Sequence, residues 1–269
     1  MEHKRCFLGS FYFVLMIIFM YLPILVLIVF SFNDSVILAF PLKGFTLKWY
    51  QQLIGARELL VAARNSVLVG VVSSLVATLV GALAAIAITK HHMPARNFFL
   101  GLASVPMVMP AIVLGVSMLV FFRRVLNLDL NLWMITVAHV LISIPTTILM
   151  VMARLADFSQ NLEEAAMDLG ANYWVTLMKV TLPISLPALV ASFLTAFTTS
   201  FDEYAMTTLI TGTQTTLPVY LYSLLRFPRR LPVAVAMGSI IMVVSAALVL
   251  LAEWLRRYGT SRPQKEELL

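Results

Sequence analysis

Apolar runs long enough to hold a membrane alternate with short polar interruptions along the whole chain. Six runs stand out, at roughly 8–32, 65–89, 98–122, 133–153, 186–211 and 233–255. Each supplies the roughly 20 mostly apolar residues that a spanning helix needs. The pattern predicts an all-α polytopic membrane protein of six transmembrane helices, forming a single domain over residues 1–269. Nothing is left over for a soluble domain of about 100 residues. An even number of spans puts both termini on one side.

The interruptions carry their own signals. Within residues 33–64, Leu47, Tyr50, Leu53 and Ile54 recur at helical spacing. They predict a short interfacial helix with Trp49 and Tyr50 at headgroup depth. Residues 90–97, "KHHMPARN", read as a basic solvated turn. Adjacent His91 and His92 are poorly spaced to hold a metal from one helix face, so no metal site is predicted. Residues 154–184 form the longest polar-bearing segment between the later spans, and the chain from Arg256 reads as a charged tail. Pro106 and Pro110 lie inside the third span, Pro145 interrupts the fourth, and Pro183 and Pro187 mark the start of the fifth. Proline removes a backbone donor and kinks or ends a helix. In a membrane this is tolerated where neighbours or a wet cavity satisfy the freed carbonyls. Plain bending and a pathway-lining role both fit. No internal repeat supports the inverted-repeat architecture of many secondary transporters.

Composition agrees with the pattern. Hydrophobic residues make up 61% of the chain and charged residues 12%, with a mean hydropathy of +0.93. Soluble domains run at about 45–50% and 25%. A net charge of +6 invites a nucleic-acid reading. No basic patch interleaved with aromatics accompanies it, and polar loops account for the excess. The single cysteine, Cys6, excludes an internal disulfide and a cysteine-based metal site. It reads as a tolerated thiol at the start of a helix, with palmitoylation the alternative. Lys4 and Arg5 imitate a signal peptide, but the apolar stretch from Phe7 to Phe32 is too long for one. It reads as an uncleaved first span. Lys and Arg bias does not orient the protein: one set of loops with the termini carries ten of the nineteen, the other nine.

Chemistry-bearing residues concentrate in two places. In "FLTAFTTSFDEYAMTTLI" the adjacent carboxylates Asp202 and Glu203 sit in an apolar run, flanked by Phe201 and Tyr204. A charge there costs at least about 2.5–3.5 kcal/mol, so it needs a reason. Counted from Pro187 the pair lies roughly 22–24 Å along a helix. A functional contact within the membrane, pairing with a basic residue, and exposure at the membrane rim all remain open. Neighbouring helical residues point about 100° apart, so the two would not face one narrow cavity equally.

The second place is "EEAAMDLGANYWVTLMKVTLP". Glu163 to Leu169 predict about two helical turns, with Ala165 and Ala166 giving a smooth face. Gly170 supplies a left-handed cap. A second short helix follows from about Asn172 to Val180, carrying Tyr173, Trp174, Leu177 and Met178, before Pro183 starts the next span. Such a hairpin with exposed aromatics suits docking of another protein, or alternatively the lipid surface.

This stretch resembles the EAA loop of the membrane subunits of bacterial ABC importers. That pattern is Glu-Ala-Ala, three residues, Gly, nine residues, Ile, one residue, Leu-Pro. Glu164, Ala165, Ala166, Gly170, Leu182 and Pro183 fall on it, and Val180 replaces the Ile. The resemblance implies a type I permease fold whose loop is cytoplasmic and forms a coupling helix on an ATPase subunit. Both termini, 90–97 and 154–184 would then be cytoplasmic. "FPLKGFTLKWY", "PMVMPAIVLGVSMLVFF", "SFDEY" and "TLPVYLYSLLRFPRRLPVAVA" look like the polyamine (spermidine/putrescine) branch, and within it the second of two permease subunits. Importers of other amines and of aminophosphonates share that branch.

The resemblance implies a non-enzymatic subunit with no cofactor of its own. It also implies a second permease, two ATPases holding ATP and Mg2+, and a periplasmic solute-binding protein. The sequence agrees in having no G-x-x-x-x-G-K-[ST] phosphate loop. Glu164, Ala165, Ala166, Asp168 and Gly170 would make the coupling contact. Phe201, Asp202, Glu203 and Tyr204 would line the cargo pathway. Tyr220, Tyr222, Arg226 and Arg229 would lie outside, facing the binding protein or lipid headgroups. The reading from a different class is a proton-coupled secondary transporter using Asp202 or Glu203 as its relay.

Overall fold

The computed structural model describes residues 2–90, 94–156 and 161–258, so His91 and His92 and the tail beyond Tyr258 lie outside the described residues. Regular structure among them is helical, apart from one isolated bridge between Asn33 and Phe45. The helices are α1 (Glu2–Ser31), α2 (Lys48–Ile54), α3 (Arg57–Lys90), α4 (Arg96–Val108), α5 (Ala111–Val120) and α6 (Leu132–Ala156). There follow α7 (Asn161–Asp168), α8 (Tyr173–Thr176), α9 (Leu182–Asp202), α10 (Thr207–Ile210), α11 (Leu217–Leu225) and α12 (Leu231–Tyr258). Among the described residues five helices are long and apolar enough to cross a membrane, or six spans if α4 and α5 count as one.

Three predicted spans differ in their details. The third is broken rather than continuous: α4 and α5 meet at an angle of 100°. Met109 is extended there (φ −73°, ψ 137°), as expected before a proline, whose ring disfavours helical geometry in the preceding residue. The fourth is not interrupted: α6 runs through Pro145, which is buried inside it. The fifth starts earlier and stops sooner than 186–211. A π-helical turn over Leu177–Thr181 joins α8 to α9, making one helix from Tyr173 to Asp202. It ends because Glu203 turns extended (φ −73°, ψ 118°).

Two compact units share the chain. The first comprises Met1–Leu60 and Tyr220–Val243. Here α2 is present as predicted, and Trp49 is buried, its indole N–H donating to the Asn33 carbonyl at 2.8 Å. The Tyr50 hydroxyl lies 2.6 Å from that of Ser31 and 3.0 Å from that of Ser239.

The second unit comprises Val61–Val219 and Val244–Leu269. Small residues recur along the buried face of α3, at Ser66, Gly70, Ser73, Ala77, Gly81 and Ala85. Apolar burial drives little helix association in lipid, so such stripes are what let helices touch closely. A Cβ at Gly70 would lie 2.9 Å from the Phe197 ring of α9, and one at Gly81 would lie 2.7 Å from Thr147 of α6. One apolar cluster joins Ala85, Ile148, Val151 and Leu155, and another joins Val69, Leu114, Ile135 and Met206.

Candidate functional site

The hairpin is built from local rules. At the end of α7, Gly170 takes φ +90°. The Gly170 N–H donates to the Met167 carbonyl at 2.9 Å and the Ala171 N–H to that of Ala166 at 3.0 Å. This is the paired closure of a helix ending in a left-handed residue. Nothing lies within 4 Å of where a Gly170 Cβ would be, so backbone conformation and not crowding calls for glycine. Asn172 then caps α8, its Oδ1 accepting from the Val175 N–H at 2.9 Å.

The resulting element is open on its outer side. Glu164, Ala165 and Asp168 are exposed and Ala166 half-buried. Leu169 is 90% exposed and Trp174 67%, an apolar presentation that a lone soluble surface would not favour. Glu163 points inward instead. Its carboxylate pairs with the Lys90 ammonium, which also donates to the Thr181 hydroxyl at 3.0 Å.

At the far end of α9 the two neighbouring carboxylates separate. Because the helix stops between them, they do not stand 100° apart on one continuous helix. Asp202 is exposed, with Oδ1 accepting from the Ser245 hydroxyl of α12 at 2.7 Å. Glu203 folds over the start of α10. Its carboxylate accepts from the Met206 N–H at 2.9 Å, the Thr207 N–H at 2.9 Å and the Thr207 hydroxyl at 2.8 Å. Phe201 is buried, stacked on Phe197 at 5.7 Å, and Tyr204 is half-buried.

Behind this break lies a wholly buried histidine. His139 Nδ1 is 2.6 Å from the Ser200 hydroxyl and Nε2 is 2.8 Å from that of Thr207. Since the Thr207 proton goes to Glu203, the Nε2–H tautomer satisfies both neighbours: Nε2 donates to Thr207, and Nδ1 accepts from Ser200. Ser73 donates to Ser200 at 3.2 Å, so a single run of donors leads from α3 through α9 and α6 to the Glu203 carboxylate.

In the other unit, Tyr220 is half-buried, while Tyr222, Arg226 and Arg229 are exposed. Arg57, Glu58, Tyr220, Arg229 and Arg230 line a cavity of about 470 Å³. Burial, and then the Glu58 charge, push the Tyr220 phenol above its ordinary pKa, against a smaller opposing pull from Arg230.

Sequence reasoning missed Lys90, His139, Ser200, Thr207 and Ser245, and took Glu163 only as helix. His139 had a usable signal, since an ionisable residue within a span is a site candidate by default. Lys90 and Ser245 had none, because their partners lie 73 and 43 residues away.

Known proteins share this architecture. Residues 77–258 match the family described as the binding-protein-dependent transport system inner membrane component. The chain belongs to that family. It is 34% identical to the spermidine/putrescine transport system permease protein PotC of Escherichia coli (strain K12), covering 90% of this chain and 91% of the relative. It is 29% identical to the putrescine transport system permease protein PotI of the same organism, over 77% and 76%. In fold it is similar to a bacterial alginate ABC transporter solved with a pentasaccharide-bound periplasmic protein (TM-score 0.73, 18% identity, 97% of each chain). It is also similar to the inward-facing MetNI methionine ABC transporter (TM-score 0.62, 18% identity, 80% of this chain and 99% of that one). The fold is therefore that of a type I ABC importer permease. The chain is a transport subunit of the inner membrane, not an enzyme, and ATP is hydrolysed by a separate ATPase subunit.

Proposed function

We propose that this chain passes a small cationic amine, of the spermidine and putrescine class, from a periplasmic binding protein into the cytoplasm. It works as one of two different permease subunits, on a pair of ATPases that hold ATP and Mg2+. Both termini and the α7–α8 hairpin are cytoplasmic. The observation that carries this reading is one helix with two functional ends. Tyr173–Asp202 holds the docking hairpin at its start and an exposed carboxylate at its finish. Its 30 residues separate the two by about 45 Å, which spans the membrane.

Glu164, Ala165, Ala166, Asp168 and Gly170 form the contact with the ATPase. Asp202 faces the cargo, with Tyr204 beside it, and Phe201 and Glu203 hold the helix end in shape. An ammonium group leaving water finds its counter-charge at Asp202. A single exposed carboxylate keeps that site weak, and a passage needs weak sites if cargo is to leave. Tyr220, Tyr222, Arg226 and Arg229 lie on the external side, where their positive charge suits an acidic face of the binding protein.

The PotC and PotI relatives support the amine cargo by their names. The assay is ATP hydrolysis by the purified complex, with its binding protein offered spermidine, putrescine or an aminophosphonate. Stimulation by the two amines is expected. Stimulation by the aminophosphonate alone would remove the polyamine assignment.

A further inference from the structure

We infer that Lys90, Glu163 and Thr181 form a clasp that carries displacement of the hairpin into helices α3 and α9. Lys90 and Thr181 serve as positioning residues within this chain. The inference rests on the reading of α7–α8 as the ATPase contact.

Three helices meet at the clasp. Lys90 is the last residue of α3, Glu163 lies in the first turn of α7, and Thr181 closes the π-helical turn through which α8 runs into α9. Lys90 Nζ donates to both Glu163 Oε1 and Thr181 Oγ1, and the Thr181 hydroxyl donates to the same carboxylate oxygen. Each charge also suits its helix end: a cation at the C-terminus of α3 and an anion at the N-terminus of α7 both complement the helix dipoles.

Apolar packing does not make this connection. No residue of α7 is fully buried. A cavity of about 270 Å³ opens beside the clasp, lined by Thr89, Leu155, Glu164, Met167 and Tyr173. With a gap where a packed core would otherwise transmit force, the polar clasp is the tie between α7 and the end of α3. Its charged groups are only 14% and 16% exposed, so solvent screens them less than an ordinary surface pair.

The π turn adds the second half of the argument. Such turns insert a residue into a helix and are frequent at functional sites. Here the turn sits where the hairpin joins the long span, and its final residue is the one the clasp holds. A push on α7 therefore acts at once on the end of α3 and on the root of the helix that ends at Asp202.

The test uses the full transporter in proteoliposomes with its binding protein loaded with radiolabelled spermidine. Co-purification of the ATPase, ATP hydrolysis and uptake are all measured. Lys90→Met, Glu163→Gln and Thr181→Val should retain the ATPase subunits, yet move about 5- to 150-fold less spermidine per ATP, the range of typical coupling energies. Lys90→Arg should preserve coupling. The reversed pair, Lys90→Glu with Glu163→Lys, should couple better than either of its single changes. Normal spermidine-to-ATP ratios in Lys90→Met and Glu163→Gln would overturn the clasp, as would a reversed pair no better than its singles. Gly170→Trp separates the two levels. If it uncouples while the clasp variants are normal, only the clasp is wrong; if it too transports normally, the hairpin is not the ATPase contact.

Discussion

Neutralising Asp202 and Glu203 one at a time should produce opposite signatures, although the two are adjacent in sequence. Glu203 holds three donors at 2.8–2.9 Å, two of them backbone N–H groups at the start of α10. Glutamine keeps one acceptor oxygen and turns the other into a donor, so at least one N–H or O–H loses its partner. Hydrogen bonds to a charged group are worth about 1.5–3 kcal/mol in water-soluble proteins. Interhelical bonds in membrane proteins average about 0.6 kcal/mol. Because two of these donors are local backbone groups, Glu203→Gln should cost about 1–3 kcal/mol of stability.

Asp202→Asn leaves an oxygen to accept from Ser245, and its cost in stability should stay within about 0.5 kcal/mol. Its effect belongs to transport. An ammonium about 4 Å from an exposed carboxylate gains between about 1 and 4 kcal/mol, depending on how much water screens the pair. Taking the screened end of that range, about 1 kcal/mol, spermidine uptake should fall about fivefold. The measurements are thermal unfolding of the detergent-solubilised complex and initial rates of spermidine uptake. An unchanged uptake rate in Asp202→Asn together with an unchanged unfolding temperature in Glu203→Gln would refute the reasoning. So would the reverse pattern, with Glu203 controlling uptake and Asp202 controlling stability.

Replacing Gly170 with tryptophan forces a side chain onto φ +90°, at a cost of about 1–2 kcal/mol. It should abolish binding-protein-stimulated ATP hydrolysis while the protein still inserts in the membrane. Gly81→Val should destabilise by about 1–3 kcal/mol, since even its Cβ would sit 2.7 Å from Thr147. Thermal unfolding reports it, and tolerance would mean α3 and α6 separate freely. His139→Leu removes one partner each from Ser200 and Thr207, costing roughly 0.6–1.7 kcal/mol for each bond. His139→Gln should recover part of that in the same assay, and equal loss in both would show that shape, not hydrogen bonding, matters there.

What the sequence made legible was local. Long apolar runs announce helices because backbone groups in lipid must pair within the segment, and the capped hairpin was readable because a left-handed glycine follows directly after two helical turns. The stop after Asp202 was not readable. "SFDEYAMTT" holds no glycine or proline, and in isolation it continues a helix. It breaks because Glu203 finds its partners in its own next four residues, while His139, from α6, fixes the threonine that completes the set. A residue 68 positions away in sequence thus reinforces where the helix ends. Pro145 shows the converse, a strong local signal overridden by burial among neighbouring helices.

The same division explains the two acidic doublets. In Glu163–Glu164 and in Asp202–Glu203, the chain binds one carboxylate into its own structure and leaves the other exposed. Adjacent side chains diverge, so whichever of them the fold claims, its neighbour is turned toward a different face. Sequence alone marks Asp202–Glu203 as costly and therefore purposeful, and Glu163–Glu164 only as the start of a short helix. Lys90, 73 residues away, claims Glu163, while Glu203 is claimed by its own next four residues, with His139 of α6 fixing Thr207. The exposed member of each doublet is then the one proposed above to meet something outside the chain: the ATPase at Glu164, and an ammonium cargo at Asp202.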